Sequence, residues 1–183
     1  MKIAVVGGGA AGFFAAIAAK ENFPSAQVDI YEKSPNVLAK VKISGGGRCN
    51  LTNACGSLTE LCKAYPRGEK KLKKIFQVFS NRDAMNWFEK RGVPLVVQDD
   101  GCVFPRSQDS MSIINCFLKE SERLNITIHT GKAIQSLEKE DKHFRLSFSD
   151  KTSVLSDAVI VATGGSPRRS DSSACQDARE TIP

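Results

Sequence analysis

No cysteine pair in this sequence is spaced as C-x-x-C, and only two histidines, His129 and His143, could complete a metal set. A zinc finger or ribbon is therefore excluded as an organising feature, and no metal site is expected. Nor is there a run of about 18 uninterrupted apolar residues, so no membrane-spanning helix is predicted. The apolar stretch that follows Met1-Lys2 is broken by Gly7, Gly8, Gly9 and Gly12, which removes it from the signal-peptide class. Without a secretory signal, Cys49, Cys55, Cys62, Cys102, Cys116 and Cys175 read as free thiols of a reducing cytoplasm. The sequons at Asn50-Leu51-Thr52 and Asn125-Ile126-Thr127 are then coincidental. With 14 glycines and 7 prolines in 183 residues, collagen and low-complexity scaffolds are excluded too.

What is present is a globular composition, 41% hydrophobic and 25% charged, enough for one core or one domain with an insertion. The net charge of +6 is concentrated between Arg67 and Arg91, with Lys70, Lys71, Lys73, Lys74, Arg82 and Lys90. Leu72, Ile75, Phe76 and Phe79 recur among those lysines at helical spacing, the pattern of an amphipathic helix with a solvated basic face. Because the aromatics fall on the stripe expected to be buried, and do not interleave with the basic face, no nucleic-acid partner is expected.

The chain opens as a strand at Lys2 to Val6, a glycine turn, a helix at Ala11 to Lys20 and a strand at Gln27 to Tyr31. Ile3 to Val6 are apolar on both faces, as in a parallel strand covered by helices on both sides. From Ser57 to about Ser110 the pattern turns helical, near Leu58 to Ala64, Glu69 to Phe79 and Arg82 to Arg91. Short extended pieces follow at Leu95 to Val97 and Val103 to Phe104. A helix at Ser110 to Leu124 leads to a strand at Ile126 to His129. Segments at Ala133 to Leu137, Phe144 to Phe148 and Ser153 to Leu155 read as an antiparallel meander. Asp157 to Ala162 reads as a further buried parallel strand. The fold class is α/β: a Rossmann-like parallel sheet with an antiparallel β-meander and a small helical insertion. The expected divisions are 1–53 and 110–166 for the two parts of one domain, 54–109 for the insertion and 167–183 for a loose tail.

Gly7-x-Gly9-x-x-Gly12 sits directly after the first strand and opens the first helix, the context that the dinucleotide fingerprint requires. Gly7 permits the tight turn, Gly9 lets a pyrophosphate approach the backbone, and Gly12 lets the helix lie close on the strand. The helix N-terminus then offers unpaired N–H groups and a partial positive charge. Glu32 ends the second strand about twenty residues on, where a carboxylate accepts ribose hydroxyls and favours a free 2′-OH over a 2′-phosphate.

A second glycine cluster, Lys42-Ile43-Ser44-Gly45-Gly46-Gly47-Arg48-Cys49-Asn50-Leu51-Thr52-Asn53, follows where an NAD-binding domain would continue into its next helix and strand. Its backbone amides, with Lys42 and Arg48, suit a diphosphate or a planar, reducible ring. Taken with the Glu32-Lys33 pair, Gly101-Cys102-Val103-Phe104-Pro105 and Ala162-Thr163-Gly164-Gly165, the sequence resembles the BaiN-like NAD(P)/FAD-dependent oxidoreductases. These are bacterial flavoproteins of the glutathione-reductase-type FAD group. The resemblance covers about residues 1 to 166 and departs from the family at Cys102, where a basic residue is more frequent.

The resemblance implies FAD as a tightly held group and NAD(P)H as a transient donor. Gly7, Gly9, Ala10, Ala11 and Gly12 would hold the diphosphate, and Glu32 the adenosine ribose with Lys33 beside it. Lys42, Ser44, Gly45, Gly46, Gly47, Arg48, Cys49 and Asn50 would line the path to the flavin. Ala133 would meet the adenine, and Ala162, Thr163 and Gly164 would close over the cofactor. Such proteins are longer, with a substrate-side domain after the Thr163-Gly164-Gly165 turn, so the chain reads as a truncated N-terminal portion. No general acid or base is named. The expected chemistry is hydride transfer from NAD(P)H through flavin to a small organic acceptor. Oxidation of a small amine and a non-catalytic FAD-binding fragment stay open beside it. Cys49 could be a redox thiol or a small buried hydrophobe; Cys55 lacks the spacing of a disulfide partner.

Overall fold

The computed structural model describes residues 1–65 and 68–165. The tail expected at 167–183, Cys175 included, lies outside them. In chain order the elements are β1 (Lys2–Val6), α1 (Ala10–Asn22), β2 (Gln27–Tyr31), α2 (Ala39–Ile43), β3 (Thr52–Asn53), α3 (Leu58–Lys63), α4 (Glu69–Phe76), α5 (Asn81–Glu89), β4 (Leu95–Val97), β5 (Cys102–Pro105), α6 (Met111–Arg123), β6 (Thr127–His129), β7 (Ile134–Glu140), β8 (His143–Phe148), β9 (Ser153–Ser156) and β10 (Ala158–Val161). They divide into two compact units, one of Met1–Ala39 and the residues from Phe117 on, the other Lys40–Cys116.

The first unit carries a four-stranded sheet in the order β10-β1-β2-β6, every neighbouring pair parallel. Its centre follows from composition: Ile3, Ala4, Val5 and Val6 of β1 and Val28, Asp29, Ile30 and Tyr31 of β2 are all buried. On one face lies α1, burying Phe13, Ala16 and Ile17, with the Phe13 ring 5.8 Å from that of Phe117. The antiparallel meander β7-β8-β9 covers the other, where Leu146 and Phe148 cluster with Ala4, Val6 and Tyr31. β10, expected to be buried, is instead the sheet's edge strand among the described residues: none of its residues is fully buried and Val161 is 46% exposed. One side of an edge strand has no neighbour to exclude water.

The second unit pairs β3, β5 and β4 in an antiparallel sheet. Two of its helices start on sequence-encoded side-chain caps. Ser57 accepts the Glu60 amide at the start of α3, and Ser80 and Asp83 form a reciprocal capping box on α5. The apolar stripe expected to be buried on α4 is not: no α4 residue is buried, Ile75 is 57% exposed, and Leu72, Phe76 and Phe79 are only half-buried. The reason is the cover available. Tyr65 packs its ring 5.8 Å from Phe76 but is itself exposed, so a two-turn helix gains shelter along one edge.

The tightest contact of the fold is the turn between β1 and α1. A Cβ at Gly12 would stand 1.8 Å from the Gly7 carbonyl oxygen, and one at Gly7 2.4 Å from the Ala162 oxygen. Neither atom can retreat, because the Gly7 N–H is bonded to Tyr31 and the Ala162 N–H to Val6. Gly12→Ala is therefore expected to destabilise the protein by about 2 kcal/mol or more. A urea midpoint indistinguishable from the wild type would contradict the packing described.

Candidate functional site

The first unit groups its candidate residues at the carboxyl ends of its parallel strands, where open α/β sheets bind ligands. β1 runs into Gly7, whose φ of +112° is open to glycine but not to ordinary side chains. Gly9 caps α1 with extended backbone (φ −88°, ψ −176°) and no side-chain hydrogen bond. The first intrahelical bond runs from the Phe13 N–H to the Gly9 carbonyl, so the amides of Ala10, Ala11 and Gly12 precede the helix's own ladder. Ala10 and Ala11 are exposed, and an added Cβ at Gly9 meets no atom within 4 Å. Gly7 and Gly12 are glycines because protein presses on them. Gly9 is a glycine facing open space.

Glu32 stands beside this turn. Its Oε2 accepts the Gly8 N–H at 2.7 Å, while Oε1 accepts the Ser34 N–H and hydroxyl, each at 2.9 Å. Partial burial raises its pKa, but those bonds and the nearby Lys33 charge outweigh it, holding the carboxyl below the usual glutamate range. Sequence reasoning passed over Gly8 and Ser34. A Cβ on Gly8 would lie 2.9 Å from the Glu32 Cβ and from Val37 Cγ1, so glycine here lets the carboxylate reach the turn. Lys33 is exposed, and Ala133, at the start of the meander, is half-buried with its carbonyl bonded to the Ser149 N–H. Ala162 continues the β1–β10 ladder, and it and Thr163 Cα both lie against Gly7, while Gly164 has φ +73°. Gly7, Gly9, Ala10, Ala11, Gly12, Glu32, Ala162 and Thr163 are thus grouped at one end of the first sheet.

The second unit holds Lys42 to Asn50. α2 was not foreseen, and behind it Ser44–Gly47 forms a 3-10 turn with Gly45, Gly46 and Gly47 at φ +56°, +69° and +86°. Gly45 is pressed against the Asn50 N–H (2.6 Å to an added Cβ) and the Phe104 ring (2.9 Å), whereas Gly46 and Gly47 face open space. Arg48 lies 4.2 Å over the Phe104 ring, bonded through Nε to the Gly45 carbonyl (3.2 Å) and through Nη1 to Gln108 Oε1 (3.3 Å). A third residue missed in the sequence ties the loop down. Ser110, 2% exposed, donates its N–H to the Gly47 carbonyl and its hydroxyl to the Lys42 carbonyl, both at 2.9 Å. Lys42 is exposed, and Asn50 donates to Cys102 Sγ at 3.4 Å. Cys49 is buried in a left-handed conformation (φ +63°), and burial pushes its thiol above the ordinary range against a lowering bond from Ser44.

Comparison with known proteins matches residues 1–175 to the family model described as the HI0933-like protein Rossmann domain. The chain is 30% identical over 169 residues to a 3-dehydro-bile acid Δ(4,6)-reductase of Clostridium scindens, covering 92% of this chain and 40% of that protein. It is 26% identical over 161 residues to a ribosomal RNA dihydrouridine synthase of Escherichia coli, covering 88% of this chain and 38% of that one. The chain thus spans about two fifths of the length of these curated relatives. Among solved structures, a 3-ketosteroid-Δ4-(5α)-dehydrogenase of Rhodococcus jostii superposes with a TM-score of 0.65 at 17% identity, over 89% of this chain and 45% of that chain. At that identity the likeness shows a shared fold.

The depressed Glu32 carboxyl contributes stability that is present above the ordinary glutamate range and lost as pH falls through its native value. Glu32→Gln is therefore expected to lower the urea midpoint at neutral pH, with the gap to the wild type closing on acidification. A gap independent of pH would show that the charge of Glu32 is not what its partners stabilise.

Proposed function

Because the chain belongs to the HI0933-like family and matches its Rossmann domain, we propose that it is the FAD-binding part of a flavoprotein oxidoreductase. In this reading it passes hydride from NAD(P)H through flavin to a small organic acceptor. The observation that carries the proposal is Gly9. Two glycines of the fingerprint are explained by protein contacts and the third by none, so its missing side chain reserves space for a ligand at a helix N-terminus. The residues fit the group. Three amides and a glycine gap suit a diphosphate, the ionised Glu32 suits a ribose with free hydroxyls, and the open faces of Gly46 and Gly47 suit close backbone approach by a flat ring. In the second unit Lys42 and Arg48 would supply positive charge to an anionic group, and in the first Ala133, Ala162, Thr163 and Gly164 would line a bound cofactor.

Bound FAD would supply the two-electron acceptor and donor that no side chain provides. The chain's own groups bind, orient and polarise. The reductase of Clostridium scindens supports reduction of an organic acceptor as the direction of the reaction. One observation favours a second reading, an RNA substrate as in the Escherichia coli relative: the α4 lysines, Lys70, Lys71, Lys73 and Lys74, are all exposed beside an apolar stripe that is not buried. Salt-dependent retention on ribosomal RNA would favour it; salt-independent flow-through would leave the small-molecule reading alone.

The proposal is tested with the purified chain. Flavin absorbance that survives gel filtration, with FAD rather than FMN released on denaturation, is the expected result, and NAD(P)H should bleach it under anaerobic conditions. Gly9→Ala should leave the unfolding free energy within about 0.5 kcal/mol of the wild type while reducing FAD affinity at least tenfold. A Gly9→Ala protein that keeps full FAD affinity would remove the observation on which the reading stands.

A further inference from the structure

Resting on that reading, we propose that Ser34 is a positioning residue for the adenosine half of the flavin, fixing the Glu32 carboxylate so that one acceptor direction on Oε2 is left for a single ribose hydroxyl. An ionised carboxylate offers about four lone-pair directions. Three are taken: Oε1 by the Ser34 N–H and hydroxyl, Oε2 by the Gly8 N–H. Bonds to both oxygens fix the plane of the group as well as its place, which a long side chain bonded at one oxygen would not achieve.

Ser34 can do this because its own backbone is anchored. The Glu32 N–H donates to the His129 carbonyl at 2.8 Å, the Glu32 carbonyl accepts the Lys132 N–H at 2.8 Å, and the Ser34 carbonyl accepts the Gly131 N–H at 3.1 Å. The clamp is thus an extension of the pairing between β2 and β6 beyond the last residues of both strands. The hydroxyl has one proton and two acceptors in reach, Glu32 Oε1 at 2.9 Å and the Asn36 carbonyl at 2.6 Å. A bond to a charged oxygen is roughly twice as strong as one between neutral groups, so the ionised carboxylate takes it. Gly8 then holds the carboxylate against the same turn whose amides face the diphosphate, setting the spacing between ribose and diphosphate before any ligand arrives.

Flavin-fluorescence quenching on the full chain, with FAD and with FMN as probes, tests the assignment. Ser34→Ala should weaken FAD binding about fivefold, less than the full worth of the lost charge-assisted bond because the Gly8 and Ser34 N–H groups still hold Glu32. FMN, which lacks adenosine, should bind as to the wild type, and Ser34→Thr, which keeps the hydroxyl, should restore FAD affinity. Unchanged FAD affinity in Ser34→Ala would overturn the positioning role. So would equal weakening for FAD and FMN, the mark of general damage. A wild-type chain that shows no affinity for FAD would overturn the flavin reading itself, and the Ser34 assignment with it.

Discussion

The arrangement depends on how closely the first helix lies against the first strand. With the Gly7 oxygen 1.8 Å from where a Gly12 Cβ would stand, the axis of α1 cannot approach that way if either position carries a side chain. The contact decides where the helix begins, and the beginning decides where three amides point. Had a bulkier residue pushed α1 outward, the amides would still be unpaired, but no longer grouped with Glu32 and Ala162 at the end of the sheet. The grouping of these amides is therefore a by-product of packing: donors of a helix terminus, held together by a contact that only glycine permits.

Steric contact and charge meet in Gly8. It is the unspecified position of the G-x-G-x-x-G pattern, yet its N–H is the bond that brings Oε2 of Glu32 to the turn, and its missing Cβ makes room for the Glu32 stem. The carboxylate thus accepts two backbone N–H groups, from Gly8 and Ser34, and the Ser34 hydroxyl, which is why it stays ionised despite partial burial. Acceptor and donors thus stand side by side at this end of the sheet.

How much of this was legible in the sequence follows from the range of the forces involved. β1, β2 and the meander declared themselves because burial on one or both faces is written directly into the hydrophobic period. Gly7, Gly9, Gly12 and Glu32 could be placed because their spacing is local. Ser34 and Ser110 could not. Each is an ordinary polar residue until the fold brings it to Glu32, or to the carbonyls of Lys42 and Gly47, and no pattern in the chain encodes those pairings. β10 was read as buried because its composition matches β1; composition does not say that, among the described residues, it has a neighbour on one side only. The α4 stripe failed for the same reason. Periodicity identifies a face that can be covered, and the cover itself comes from other elements.

Cys49 shows what such context adds. Next to a glycine loop and an arginine it invites a role as a redox thiol, since neighbouring positive charge lowers a thiol's pKa. Its surroundings act in the opposite direction: the sulfur is sheltered, burial holds the thiol protonated, and the N–H is used to close the loop on the Ser44 carbonyl. The left-handed backbone at Cys49 completes the reversal begun at Gly45, in a position that disfavours branched side chains. A small, unbranched, apolar residue is what that corner requires, and a neutral cysteine satisfies it. What the loop leaves open to its surroundings is therefore not the thiol but the glycines at 46 and 47 and the guanidinium that Phe104 holds beside them.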